Sequence, residues 1–200
     1  MKEPKYFMYI SPRKVEMLYA QIPKKALKSI CAELKFDLKL FSATFKEEPA
    51  NDSLYSKTLL VVNYLKKNKE LVGTVDEPKS YIYGKEVMKT FFFNKLKPPG
   101  VLFEAPGYFY LGGSLRNVSG YENLSGQGYD LVSASDAGHV TEMLEKVYKN
   151  EFDLDYEQVQ GYETATVHTQ EYEFLAKVLQ VENADSGKYI VGSPIYVSVT

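Results

Sequence analysis

The run Tyr81-Ile82-Tyr83-Gly84, Val87 to Phe93, Pro98-Pro99-Gly100-Val101-Leu102-Phe103 and Pro106-Gly107-Tyr108-Phe109-Tyr110-Leu111 sets the fold class. Aromatic and β-branched residues favour extended backbone, and the glycine and proline breaks between the short runs favour turns. An antiparallel meander of three or four strands is predicted.

Upstream, Tyr6-Phe7-Met8-Tyr9-Ile10 reads as a strand that stops at Ser11-Pro12, where serine caps a helix and proline fits its first turn. Val15, Leu18, Tyr19 and Ile22 recur at helical spacing. Pro23 interrupts, and Ala26, Leu27, Ile30, Cys31 and Leu34 begin a second helical pattern. Phe36, Leu38 and Leu40 alternate like a half-buried strand running towards Phe45. Leu54, Thr58, Leu59, Val61, Val62 and Leu65 form a helical stripe with a lysine-rich end that suits the helix dipole. Downstream of the meander, Tyr129 to Ser133 reads as a short strand and Val140, Met143, Leu144 and Val147 as a helix. A further helix of about fifteen residues is predicted around Tyr172, Leu175, Ala176 and Leu179 from their i, i+3, i+4, i+7 spacing. The chain closes with Tyr189-Ile190-Val191, Gly192-Ser193-Pro194 and a strand from Ile195 to Val199. The expected architecture is α+β: one domain over 1–200, with a mixed, largely antiparallel sheet, about five flanking helices, and the first and last strands both inside the sheet.

The chain has 200 residues, of which 44% are hydrophobic and 25% charged, as in soluble globular domains. No apolar run approaches the eighteen or so residues of a membrane span, so neither a membrane protein nor a secretory precursor is expected. One cysteine, Cys31, and two histidines are too few for an internal disulfide or a structural zinc site, which suits a reducing cytoplasm. No metal or other cofactor is expected. The net charge of −2 conceals an asymmetry, +8 over residues 1–100 against −10 over 101–200. Lys24, Lys25 and Lys28, with Lys66, Lys67 and Lys69, are the densest basic clusters. They read as solvated helix ends. Nucleic-acid binding is not expected, because no reader motif accompanies the charge.

Four junctions carry the candidate chemistry, each ending a β run in small or hydroxyl residues that open a helix or turn: Ser11-Pro12-Arg13-Lys14, Gly112-Gly113-Ser114-Leu115-Arg116, Ser133-Ala134-Ser135-Asp136 and Gly192-Ser193-Pro194. Free N–H groups at such junctions, with the positive end of a helix, accept anions, and glycine permits close approach. Ser11, Arg13, Lys14, Gly112, Gly113, Ser114, Arg116 and Ser193 are the candidate ligand-binding residues. Competing with this is ordinary capping by serine and bulge formation by glycine, and none of the four matches a P-loop or dinucleotide fingerprint. Ser11 and Lys14 have the Ser-x-x-Lys spacing of β-lactamase-type acyl enzymes, but the companion elements are missing. His139 and His168 fit no metal spacing and read as structural.

Tyr9-Ile10-Ser11-Pro12-Arg13-Lys14-Val15-Glu16-Met17-Leu18, Leu111-Gly112-Gly113-Ser114, Glu173-Phe174-Leu175-Ala176-Lys177 and Gly192-Ser193-Pro194-Ile195-Tyr196-Val197 together resemble an uncharacterised bacterial family. Its members open with a Tyr-Val-Ser-x-x-Lys-Val-Asp-Met-Leu-like segment and close with Gly-Ser-Pro-Leu-Tyr-Val. The resemblance implies a single bacterial domain and supplies no substrate. It also implies a histidine three residues after the Gly-Gly-Ser element, where this chain has Asn117.

These readings lead to a ligand-binding or sensor module with a pocket for an anionic small molecule, such as a nucleotide. One alternative is a hydrolase or transferase using the same pocket, with His139 or His168 as base. Another is an interaction partner, or a homo-oligomer, in a bacterial regulatory or defence complex, acting through the basic helices or the acidic 151–157 segment.

Overall fold

A computed structural model of the chain describes residues 6–34, 50–93, 100–105, 108–119, 168–184 and 187–200. In order these form strand β1 (Tyr6–Ile10), helices α1 (Pro12–Ala20), α2 (Lys24–Leu34) and α3 (Ala50–Lys67), and strands β2 (Val72–Gly73), β3 (Tyr81–Phe93), β4 (Gly100–Ala105) and β5 (Phe109–Ser114). A 3₁₀ turn (Leu115–Asn117) follows, and then strands β6 (His168–Ala184) and β7 (Gly187–Val199).

Strands β3, β4 and β5 pair antiparallel in sequence, as the meander reading requires, although Tyr81–Tyr83 and Val87–Phe93 are one continuous strand. The sheet then closes. β5 pairs parallel with β7, β7 antiparallel with β6, and β6 antiparallel with β3, which gives a five-stranded mixed barrel. Two extra strands attach to it: β1 to β7 and β2 to the start of β3. The first and last strands are therefore direct neighbours.

Two parts of the expected architecture are corrected. The described residues contain three helices, not five, within a single α+β domain. The predicted helix around Tyr172, Leu175, Ala176 and Leu179 is strand β6. Its apolar residues serve two cores. Tyr172, Phe174 and Ala176 fill the barrel, whereas Leu175, on the opposite face, packs beneath the helices. The alternation of polar Glu171, Glu173 and Lys177 against Tyr172, Phe174 and Ala176 is broken by Leu175 and Leu179 on the polar face, and these combine with Tyr172 and Ala176 into helical spacing. The expected strand over 36–45, strand over 129–133 and helix over 140–147 lie outside the described residues.

The barrel interior is filled by side chains, as small barrels require. Tyr9, Met88, Phe92, Val101, Phe103, Phe109, Leu111, Tyr172, Phe174 and Val197 are all buried there. Phe103 meets Tyr9 and Tyr172 edge-on, at centroid distances of 6.3 and 5.6 Å. The Tyr172 hydroxyl shares a 2.8 Å hydrogen bond with Thr90 Oγ1 and accepts another from Gln170 Nε2. Within β3, Gly84 leaves room for the Phe174 ring: an added Cβ would lie 3.3 Å from Phe174 Cζ.

A second core lies outside the barrel wall, where Val15 and Leu18 of α1 and Val61, Val62 and Leu65 of α3 pack on Phe7, Leu175, Ile195 and Tyr196. Helix α2 joins through Ile30 and Cys31, which meet Leu60 of α3. Cys31 is buried and forms no disulfide, the small hydrophobe its place in the stripe implies. Ile195 and Tyr196 both face the helices because β7 bulges there: Leu175 opposes Tyr196, while Ala176 opposes Pro194. Among the described residues no helix is long and apolar enough to cross a membrane.

Candidate functional site

The wall of the barrel has a seam along β7. β5 pairs with Ile190–Gly192, and β1 takes over the same edge from Tyr196 onward. Between them, at Ser193–Ile195, the first turn of α1 completes the edge. The Ser11 amide donates to the Ile195 carbonyl at 2.9 Å. Lys14 Nζ donates to Ser193 Oγ and, at 2.9 Å, to the Pro194 carbonyl. Pro194, lacking an N–H, falls at the bulge where β7 opposes Ala176, a place in a ladder that accepts it.

The second glycine junction reaches the same place through Tyr9. The hydroxyl of this fully buried residue accepts from Asn117 Nδ2 at 3.0 Å and is also engaged by the Ser11 side chain and the Ser114 backbone. An added Cβ on Gly113 would lie 2.6 Å from Tyr9 Oη. Gly113 thus serves the close approach of the tyrosine ring to β5. Burial pushes the Tyr9 hydroxyl up to about 12, so it acts as a neutral hydrogen-bonding group at physiological pH.

Three of the four predicted junctions therefore converge on one point, and the fourth, Ser133–Asp136, lies outside the described residues. Ser11 and Ser193 are nearly wholly buried, at 5% and 1% exposure. Gly112 is buried in β5, whereas Arg13 and Arg116 are exposed residues with other partners. The Ser-x-x-Lys spacing does not produce a Ser11–Lys14 hydrogen bond, because Lys14 turns to Ser193. His139 lies outside the described residues. His168 opens β6 nine register positions from Lys177, the residue opposite Ser193, which on a strand is about 30 Å away.

The electrostatics at the seam are unbalanced. Ser11 at the N-cap makes no side-chain cap bond, and the first turn of α1 contains no acidic residue. Lys14 stands there instead, at the end of a helix that favours negative charge. The Lys177 charge lies close enough to act on Lys14, and burial followed by this repulsion lowers the Lys14 ammonium to about 8. Among the described residues no carboxylate lies within salt-bridge distance of either lysine. The role of Lys177 was hidden in the sequence by the helical reading of its segment. The alternation of Glu173, Leu175 and Lys177 against Tyr172, Phe174 and Ala176 was the available signal.

One consequence concerns stability. The Lys14 pKa is about 8 in the native state against 10.5 ordinarily. Below pH 8 both folded and unfolded chains carry the charge, and folding bears its full desolvation cost. Between these values the unfolded chain binds more protons, so stability rises with pH. Urea denaturation from pH 7 to 9.5 is expected to show a gain of about 1–2 kcal/mol, and Lys14→Met to abolish that gain.

A family profile described as "Family of unknown function (DUF7019)" matches residues 5–200. The chain belongs to DUF7019. No curated protein and no solved structure matches it. The match runs from just before β1 to the end of β7 and so includes every element of the seam. Among the described residues no cluster of histidine, cysteine and carboxylate side chains is arranged to hold a metal ion.

Proposed function

We propose that this DUF7019 protein is a bacterial ligand-binding or sensor module for an anionic small molecule, of which a nucleotide is one class, and that the anion is received at the seam. The observation that carries the reading is the uncompensated positive charge there. Lys14, Lys177 and the uncapped N-terminus of α1 meet with no described carboxylate to neutralise them. A partly buried ammonium is costly without a counter-charge, and a bound anion supplies one. The buried serines and Gly113 frame the seam, while Lys14 and Lys177 are the groups that face an incoming anion.

Binding that depends on Lys14 being charged must follow its titration. Titration calorimetry with adenosine diphosphate and inorganic pyrophosphate is expected to show affinity falling about tenfold between pH 7 and pH 9, with proton uptake on binding. Lys14→Met and Lys177→Glu should remove this pH-dependent binding while leaving the fold intact by circular dichroism. Undiminished binding in Lys14→Met would refute the reading. Native mass spectrometry of freshly purified protein against its denatured mass identifies any retained ligand.

A second reading, a hydrolase or transferase, is favoured by the contact between Lys14 Nζ and Ser193 Oγ. A neutral lysine beside a serine hydroxyl is one arrangement that activates a nucleophile. Labelling of wild type by a fluorophosphonate, lost in Ser193→Ala and in Lys14→Met, is the result this reading requires.

A further inference from the structure

An open cleft of about 310 Å³ lies between the C-terminal end of α3 and the turn that joins β2 to β3. Lys66 and Lys69 line one wall. Thr74, Glu77 and Lys79 line the other, with Tyr83 on the floor. Lys66 Nζ sits 3.8 Å from the centroid of the Tyr83 ring, and Lys79 Nζ donates to the Lys69 carbonyl across the cleft.

The charges in this cleft are paired differently from those around it. Lys67 pairs with Glu33 at 2.5 Å, and Lys85 lies 3.8 Å from Glu171. The three lysines lining the cleft have no carboxylate within salt-bridge distance among the described residues, and they face the single carboxylate of Glu77. The last turn of α3 favours nearby cations. That explains Lys66, but not Lys69 beyond the helix end or Lys79 on the opposite wall.

The opposite wall is also held in place before any ligand arrives. An added Cβ on Gly73 would meet the Glu77 carbonyl at 2.0 Å, so the turn closes tightly against β2. Thr74 N donates to that carbonyl, and Glu77 N donates to Thr74 Oγ1, both at 3.2 Å. The Tyr81 amide returns to the Leu71 carbonyl at 3.0 Å. A fixed wall spares the ordering cost that a flexible loop imposes on binding.

We infer that this cleft is a second site, independent of the seam, that binds the phosphate chain of an organic polyphosphate through Lys66, Lys69 and Lys79. Ammonium groups act as point-charge phosphate ligands, three of them suit a chain carrying several charges, and the volume matches a nucleotide-sized ligand. A planar base attached to that chain replaces the Lys66 ammonium on the Tyr83 ring as that ammonium turns to the phosphates.

The test is titration of the full chain with inorganic tripolyphosphate, and separately with ATP, at fixed ionic strength. Wild type is expected to bind tripolyphosphate, and Lys69→Glu with Lys79→Glu to weaken it at least tenfold. Lys67→Glu with Lys85→Glu, the same charge change on paired lysines outside the cleft, should leave affinity within about twofold of wild type. Glu77→Gln should tighten binding several-fold, a gain that misfolding cannot imitate. In a Lys14→Met background, which silences the seam, tripolyphosphate binding should persist and still be lost in Lys69→Glu with Lys79→Glu, which separates this site from the seam. Tighter binding of ATP than of tripolyphosphate, lost in Tyr83→Leu, assigns the base to the ring, and equal binding assigns recognition to the phosphates alone. Absence of tripolyphosphate binding, or equal loss in both lysine pairs, overturns the proposal.

Discussion

Phe174→Ala is expected to lower the free energy of unfolding by about 3–5 kcal/mol, as deletion of a fully buried ring does elsewhere. The ring is wholly buried in the barrel, 4.8 Å from Phe109 between centroids, and rests where Gly84 leaves the wall without a Cβ. A closed barrel collapses poorly around such a hole, because moving one strand inward disturbs the ladders on both its sides. The loss therefore lies near the upper end of that range and is a large share of a typical total of about 5–15 kcal/mol. Urea unfolding followed by circular dichroism measures it. A change below about 1 kcal/mol would mean that the interior is not packed as described. Val87→Ala, an exposed position on β3, is the matched control and should shift stability by less than about 0.5 kcal/mol.

Gly113→Val is the second large effect. Its Cβ would lie 2.6 to 2.8 Å from three atoms of the Tyr9 ring and hydroxyl, and Tyr9 is wholly buried and packed edge-on with Phe103. The substitution forces β5 away from β1 and breaks the hydrogen bonds that Asn117, Ser114 and Ser11 make with the Tyr9 hydroxyl. Overpacking costs about 1–3 kcal/mol and a buried hydroxyl stripped of partners about as much again. The expected loss is about 3–5 kcal/mol, seen as a lower urea midpoint and a lower melting temperature. A double-mutant cycle separates this clash from general intolerance of a larger residue. In a Tyr9→Ala background Gly113→Ala should cost much less than in wild type, with a coupling of about 0.5–3 kcal/mol. Additive costs would show that Tyr9 is not what Gly113 accommodates.

The elements that were legible in advance are those whose stabilising contacts lie on one face. Val61, Val62 and Leu65 of the stripe pack one side of α3 on the barrel wall, with Leu60 beside them meeting α2, so the helical period survives in the sequence. Pro23 separates α1 from α2 because a helix interior cannot accept it. The meander was readable from its turn residues. β6 was not, since Leu175 on its otherwise polar face enters the core beneath the helices and, with Leu179, completes a helical spacing with the barrel-facing Tyr172 and Ala176.

The candidate site divides in the same way. Ser11, Lys14 and Ser193 were visible as residues of strand-to-helix or strand-to-turn junctions, because capping and turn chemistry is local. That Lys14 lies on Ser193 rather than beside Ser11 was not visible, nor that Lys177 adds its charge there. The cleft lysines Lys66 and Lys69 were visible only as a basic helix end. Their counterpart Lys79 reaches them through the parallel pairing of β2 with β3.

Local sequence thus establishes strand, helix and turn for the N-terminal helices and the meander, because hydrophobic periodicity, proline and glycine act within a few residues. The closing of five strands into a barrel belongs to the folded chain alone. It depends on β5 meeting β7 in parallel and on α1 completing the seam at Ser193–Ile195. Lys14 and Ser193 are 179 residues apart in sequence, and no local pattern carries a contact over that separation. It forms because the barrel buries enough apolar surface to offset the entropy of bringing those segments together.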